Sequence, residues 1–380
     1  MRWIPYCLFI FMSVEFAFAI QPDLVVPYKN FGDSSLKLDI YYPNNQKPET
    51  GSAVMLFYFG GGWNGGSTSA FAKQSKYLSS RGIVCICVEY RTKKSHGVDP
   101  FECVKDARSA YRFVYENAKD LGIDRDQILT GGGSAGGHLA VACSTVNTIN
   151  DVADDLSIPI EPKAHVLFNP VYDNGPGGYG HDRVVSNWKA FSPLHNINAQ
   201  MPPTLVMFGD QDKLMKVSKM KEFKVKMESV GVRSELVLYE GQAHAFFNKA
   251  KYSETVLEMD QFLQSLGFLS GPATIKISKA EPMGDLEVEK HNKALIDAVK
   301  QGNIGKVSES LDHGADIHVR FQNENTPLHL AIVKGNYEMV RTLVEFGADI
   351  GIENKYGTDS LELAIKRKQN EIVDYLKKQN

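Results

Sequence analysis

The sequence predicts an α/β fold with a mostly parallel sheet, followed by a small all-α repeat unit. Three observations lead there. Between residues 36 and 269, short apolar runs alternate with amphipathic stretches, as strands and crossover helices do in a sheet covered on both faces. A glycine-flanked serine, Gly131-Gly132-Gly133-Ser134-Ala135-Gly136-Gly137, stands between one such run and the next. Beyond residue 290 the sequence repeats itself with a period of 33.

Taken in order, the chain begins with Met1-Arg2, a mostly apolar run over 3–19, and Ala17-Phe18-Ala19. This pattern predicts a signal peptide over 1–19 whose removal leaves Ile20 first. The alternative is an N-terminal membrane anchor. No later stretch approaches the ~20 apolar residues of a spanning helix, so the expected mature chain is exported, periplasmic or extracellular, with no stable membrane insertion. Residues 36–42 alternate as a strand, whereas 53–59 and 83–88 are continuous apolar runs suited to central parallel strands. Residues 67–80 and 100–117 suit crossover helices, the latter with Val104, Ala107, Tyr111 and Val114 near helical spacing. A short strand at 127–130 leads into the serine turn, and an apolar helix continues over 139–145. Further strands are expected at 164–168, 204–208 and 234–239, with helices at 213–230 and 253–266.

Composition excludes some function classes. The 380 residues carry a net charge of −3, with 43% apolar and 23% charged residues. Such a balance offers no footprint for nucleic acid or an anionic membrane. Once Cys7 leaves with the signal peptide, Cys85, Cys87, Cys103 and Cys143 remain. Cys85 and Cys87 share one strand face and read as core residues rather than a bridge. No spacing resembles a zinc site, and neither metal nor cofactor is expected.

Gly132-x-Ser134-x-Gly136 has the form of a nucleophile elbow, which needs neighbours without Cβ atoms for strand and helix to close around it. A serine hydroxyl also needs a base to take its proton. His244 is the best placed, just after the strand ending at Tyr239-Glu240. The acid is expected between them, in Phe208-Gly209-Asp210-Gln211-Asp212. Asp212 is favoured because the spacing carries it past the strand end. Asp210 is the alternative, with a structural role in the turn more in keeping with its place. Ala135, directly after the serine, and the loop Gly60-Gly61-Gly62-Trp63 after the apolar run offer backbone N–H groups for an oxyanion.

On these residues, positions 23–269 resemble the α/β-hydrolase superfamily, in its acetyl esterase/lipase branch related to hormone-sensitive lipase. The resemblance implies a mostly parallel eight-stranded sheet, the order Ser134, Asp212, His244 for the catalytic residues, and Gly61, Gly62 and Ala135 as oxyanion donors. Two positions depart from the family pattern. Phe59 replaces the loop histidine, and Gly133 replaces the residue before the serine. Bacterial acetyl-esterase and feruloyl-esterase-like relatives look nearer for that reason. Trp63, Tyr179, Trp188 and Phe246 fall on loops at the C-terminal ends of strands and are candidates for substrate binding.

After residues 270–290, a polar stretch expected to be a linker, Thr326-Pro327-Leu328-His329-Leu330-Ala331 carries the signature of an ankyrin repeat. Ala298, Ala331 and Ala364 keep the same period, giving units at about 291–324, 325–357 and a truncated 358–380. The expected organisation is therefore a catalytic domain over 20–269 and ankyrin repeats over 291–380. The expected activity is a secreted serine carboxylic ester hydrolase acting on short-chain, acetyl-type esters, including those of polysaccharides. The alternatives are a peptidase of the same fold, and a protein-binding effector whose repeats recruit a protein partner. A second role for the repeats is to brace the hydrolase domain.

Overall fold

The computed structural model describes residues 20–379, apart from 33, 50, 250, 278–284, 313 and 314. The expected signal peptide and part of the expected linker lie outside the described residues. Eight strands form one sheet: β1 (Leu24–Phe31), β2 (Ser34–Tyr41), β3 (Ser52–Tyr58), β4 (Val84–Val88), β5 (Ile123–Gly133), β6 (His165–Phe168), β7 (Thr204–Gly209) and β8 (Ser234–Tyr239). Their order is β1-β2-β4-β3-β5-β6-β7-β8. β1 and β2 pair antiparallel, as do β2 and β4, and every pairing from β4 to β8 is parallel.

Continuous apolar runs follow from burial on both faces. In β3, Val54, Leu56 and Tyr58 join one core, while Met55 and Phe57 join the other. The first core is completed by α2 (Pro100–Glu116) and α3 (Ala135–Thr145), through Val104, Ala107 and Leu139. The opposite one is closed by α1 (Ala72–Ser80) and, late in the chain, α5 (Tyr252–Ser265). Helix α4 (Val217–Ser229) joins the first core with Met220 and Phe223. All four described cysteines are buried and free, as small core side chains.

Two strands of the sheet differ from the sequence-based expectation. β1 is an edge strand that the pattern did not announce; its residues are exposed or half-buried on both faces, and Pro27 interrupts the run beside a register shift. Such a strand is defined by its partner rather than by its own periodicity. β5 is longer than 127–130 and runs on through Gly133, with Gly131, Gly132 and Gly133 paired to Val166, Leu167 and Phe168. The glycines read as part of a turn are therefore the last residues of a central strand.

The C-terminal segment is helical, built from α6 (Asp285–Gln301), α7 (Ile304–Asp312), α8 (Pro327–Val333), α9 (Tyr337–Glu345), α10 (Ser360–Lys366) and α11 (Asn370–Lys377). α6 starts within the stretch expected to be linker. A separate core runs through these helices, with Leu295, Leu328, Leu343 and Leu376 fully buried. Thr326 caps α8 and His329 returns the bond, a reciprocal pair at the helix start. His329 Nε2 also donates to the Thr358 carbonyl at 3.1 Å, tying one repeat to the next.

Two other histidines are wholly buried in the sheet domain. His165 lies between the Thr130 and Ser144 hydroxyls at 2.7 and 2.9 Å. His138 donates from Nε2 to the Phe191 carbonyl at 3.0 Å. Burial pushes both imidazoles down to about 3, so they stay neutral in the fold. An unfolded histidine takes its proton near pH 6.5. The unfolded state thus binds more protons below that pH, and stability falls as pH drops toward 3. The expected loss is about 2 kcal/mol per histidine at pH 5 relative to pH 8. Urea unfolding at those two pH values checks it, and His165→Asn should flatten the pH dependence.

Candidate active site

Ser134 connects β5 to α3 with φ 53 and ψ −120, a backbone conformation that a side-chain-bearing residue rarely adopts. Its N–H donates to the Phe168 carbonyl at 2.9 Å, and its own carbonyl accepts from His138 N at 3.1 Å. The turn is held at close quarters. A Cβ at Gly132 would stand 2.5 Å from the Tyr58 carbonyl oxygen, and one at Gly136 would collide with the carbonyls of Tyr58 and Phe59. Only hydrogen at these positions lets α3 pack down on the end of β3.

The structure brings Ser134, His244 and Asp212 together. Ser134 Oγ lies 2.8 Å from His244 Nε2, and His244 Nδ1 lies 2.6 Å from Asp212 Oδ2. A carboxylate only accepts, so Nδ1 carries the ring proton and Nε2 is left to accept from the serine hydroxyl. Both the Asp212 and His244 side chains are buried. Asp212 Oδ1 accepts from the N–H groups of Leu214 and Met215 at 2.8 and 3.3 Å. Asp210 turns instead to Gly241, whose N–H donates to its Oδ1 at 2.8 Å. It fastens the loop after β7 to the one after β8 rather than closing its own turn.

Asn169 was not singled out from the sequence. Its Nδ2 donates to Asp212 Oδ2 at 2.9 Å, from a left-handed backbone with φ 45 at the end of β6. The available signal was Asn169-Pro170 directly after an apolar strand, since Asn tolerates that conformation.

The loop after β3 passes beside the serine: a Cβ on Gly60 would lie 3.3 Å from Ser134 Cβ. Gly61 and Gly62 follow at φ 114 and 60, and Ala135 begins α3 immediately after Ser134. The Gly62 carbonyl accepts from Arg183 Nη1 at 2.7 Å. The Arg183 guanidinium in turn lies over the rings of Trp63 and Tyr179, at 5.1 and 5.2 Å. A cavity of about 390 Å³ flanks this loop, lined by Gly65, Lys94, Asn303 and Lys306 among others, and none of Ser134, Asp212 and His244 lines it. It belongs to the junction with the repeats rather than to the serine. Among the described residues, no cluster of three or more His, Cys, Asp or Glu could hold a metal ion, and no helix is long and apolar enough to cross a membrane.

Comparison with known proteins gives this geometry its relatives. The BD-FAE family model matches residues 38–174, and that of the dienelactone hydrolase family matches 178–262. Thermogutta terrifontis esterase 2, solved phosphoramylated by tabun, is 37% identical with a TM-score of 0.62, covering 65% of this chain and 96% of that one. The chain belongs to the α/β-hydrolase esterases.

Among other members of this esterase family, a probable isoprenylcysteine alpha-carbonyl methylesterase of Arabidopsis thaliana is 27% identical over 55% of this chain. Esterase LipQ of Mycobacterium tuberculosis is 26% identical over 65% of it and 62% of its own length. The chain spans about half, 48%, of the Arabidopsis protein's length. Residues 295–380 match a model of three ankyrin repeats.

Within this chain, Phe59 stacks on Tyr90 at 4.0 Å, and the Tyr90 hydroxyl donates to the Phe59 carbonyl at 2.7 Å. An aromatic in the core thus occupies the position of the family's loop histidine. The residues considered for substrate binding separate into distinct environments. Phe246 is buried against Tyr239 at 4.7 Å in the sheet core. Trp188 is half-buried, edge-on to His181 and His195. Trp63 and Tyr179 lie beside the glycine loop, with Trp63 buried against His138 and Phe191.

The glycine contacts set a limit that can be measured. Gly136→Ala is expected to lower stability by about 3 kcal/mol or more, because its new methyl meets backbone rather than a movable side chain. Thermal or denaturant unfolding of the variant checks this.

Proposed function

We propose that this chain is a serine carboxylic ester hydrolase that works through an acyl-enzyme on Ser134. The observation that carries the reading is the buried chain of hydrogen bonds from Asp212 through His244 to Ser134, at 2.6 and 2.8 Å, on a strained strand-to-helix turn. The Ser134 oxygen attacks the ester carbonyl as its proton passes to His244 Nε2. Asp212 holds the ring in the Nδ1–H tautomer and stabilises the imidazolium. The N–H groups of Gly61, Gly62 and Ala135 receive the oxyanion. The carbon–oxygen bond to the alcohol then breaks, and the departing alcohol takes the proton from Nε2. Water, deprotonated by the same nitrogen, releases the acid and restores the serine.

The proposed substrates are esters of short acyl groups. The relative from Thermogutta has been solved with propionate and with butyrate bound, which supports small acids. Polysaccharide acetates are the proposed natural class, on the resemblance to feruloyl-esterase-like relatives. Export is proposed from the first residues alone, where Met1-Arg2 precedes an apolar run ending in Ala17-Phe18-Ala19.

Assays with p-nitrophenyl esters test the chemistry. Turnover should be greatest among acetate, propionate and butyrate, and should fall steeply by octanoate. Ser134→Ala should show none above the buffer rate. Asp212→Ala should lose about 10³–10⁴-fold in kcat, and Asp210→Ala less than about tenfold. A variant lacking Ser134 with wild-type turnover would remove the reading. For export, N-terminal sequencing of protein recovered outside the cytoplasm should begin at Ile20, and a chain beginning at Met1 would contradict cleavage.

A further inference from the structure

The ankyrin repeats do not hang free of the hydrolase domain. They touch the loops that frame Ser134. On the loop after β3, Gly65 lies against Gly305, so close that a Cβ on Gly65 would be 3.0 Å from the Gly305 Cα. Lys93 pairs with Glu338 at 3.3 Å, and Lys94 bonds Asn303. On the loop after β6, the Tyr179 hydroxyl donates to Glu345 Oε2 at 3.0 Å, and Asp182 pairs with Arg341 at 3.3 Å. Beyond β8, the Lys249 ammonium reaches the Ala315 carbonyl at 3.5 Å. In the same loop, the His244 ring faces Phe346 at 6.2 Å and 76°, an edge-to-face contact.

The central anchor is buried and charged. Arg341 Nε donates to Glu345 Oε1 at 2.9 Å, and Arg183 lies 3.9 Å from the same carboxylate. The side chains of Arg183, Arg341 and Glu345 are only 11–15% exposed. Burial, with Glu345 next in effect, raises the Tyr179 hydroxyl and keeps it a protonated donor. A solvated surface pair would let the units part freely. Parting the units would return Arg183 and Glu345 to water, so the buried pair fixes the geometry of the contact more than its strength. The repeat face is therefore oriented against the residue that also holds the Gly62 carbonyl.

Phe346 follows α9 directly, so the anchor at Glu345 sets the position of the next ring along. That ring stands beside the histidine that, on the reading above, hands its proton to the departing alcohol. An ester's alcohol portion must lie next to His244 when this happens. Ser134 and His244 are each only 7% exposed, so a group on that side has little room.

We propose that the ankyrin unit is a wall of the ester site, in which Phe346 limits the size of the alcohol portion and Glu345 holds that wall in register through Tyr179 and Arg183. Phe346 acts as a specificity-determining residue and Glu345 as a positioning residue. The inference rests on His244 and Ser134 having the roles proposed above.

The test keeps the acyl group constant and varies the alcohol. The ratio of kcat/KM for 2-naphthyl acetate over ethyl acetate is measured in the full chain, and each variant is read against wild type, so that intrinsic reactivity cancels. Phe346→Ala should raise the ratio by about tenfold or more, the scale on which a hydrophobic pocket discriminates by size. Phe346→Leu, which keeps an apolar core side chain, guards against misfolding and should raise it less. Glu345→Gln should move the ratio the same way. Tyr356→Ala, a change at a repeat residue 67% exposed, should leave it unchanged. An unchanged ratio in folded Phe346 and Glu345 variants overturns the proposal, as does an equal rise for both esters, which would mean a general obstruction rather than size selection. Loss of the nucleophile reading would appear separately, as full turnover by Ser134→Ala.

Discussion

Everything at the centre of this molecule depends on how closely β3, β5 and α3 approach one another. The carbonyls of Tyr58 and Phe59 occupy the space where side chains of Gly132 and Gly136 would stand. That approach forces the chain to turn within one residue, and Ser134 takes the resulting positive φ. The strain of such a conformation, of order 1–3 kcal/mol, is offset by the surrounding sheet: the Ser134 N–H is satisfied by Phe168, and its carbonyl by His138. The serine side chain is projected beyond the sheet because the backbone has no alternative.

The same geometry explains why acid and base are found where they are. In a parallel sheet the loops at one end converge, so residues 134, 169, 212 and 244 meet although they come from four connections. Burying a carboxylate is unfavourable unless its lone pairs are filled. Asp212 is supplied by His244, Asn169 and two backbone N–H groups. Asp210, two residues earlier, is half-buried and receives one loop amide and the Gln211 side chain. The difference between two neighbouring aspartates is thus one of hydrogen-bond supply.

Much of this was legible in the sequence because burial leaves a pattern. The runs at 53–59, 83–88, 204–208 and 234–239 are strands in the structure, their ends placed within one residue. The 33-residue period likewise announced the repeats, which match a three-copy ankyrin model. Other features left no periodic trace. β1 has no buried face of its own and exists through pairing with β2. The role of Asn169 depends on a loop 43 residues away. Phe246 sits on a loop at a strand end, as a substrate-contacting residue would, yet its ring turns inward to Tyr239. Position along the chain did not reveal that direction.

The placement of the repeats was the least legible feature, since periodicity describes how repeats stack on each other and not what they face. Here the charges decide it. Arg183 and Glu345 belong to different units, yet each is buried, and each would be costly to bury alone. Arg341 and Tyr179 supply further partners to the same carboxylate. The first of these couples the repeat helix to itself, and the second couples it to the hydrolase loop. In this structure the cluster is withdrawn from water between the two units, and what the repeats face is the loop beside the serine.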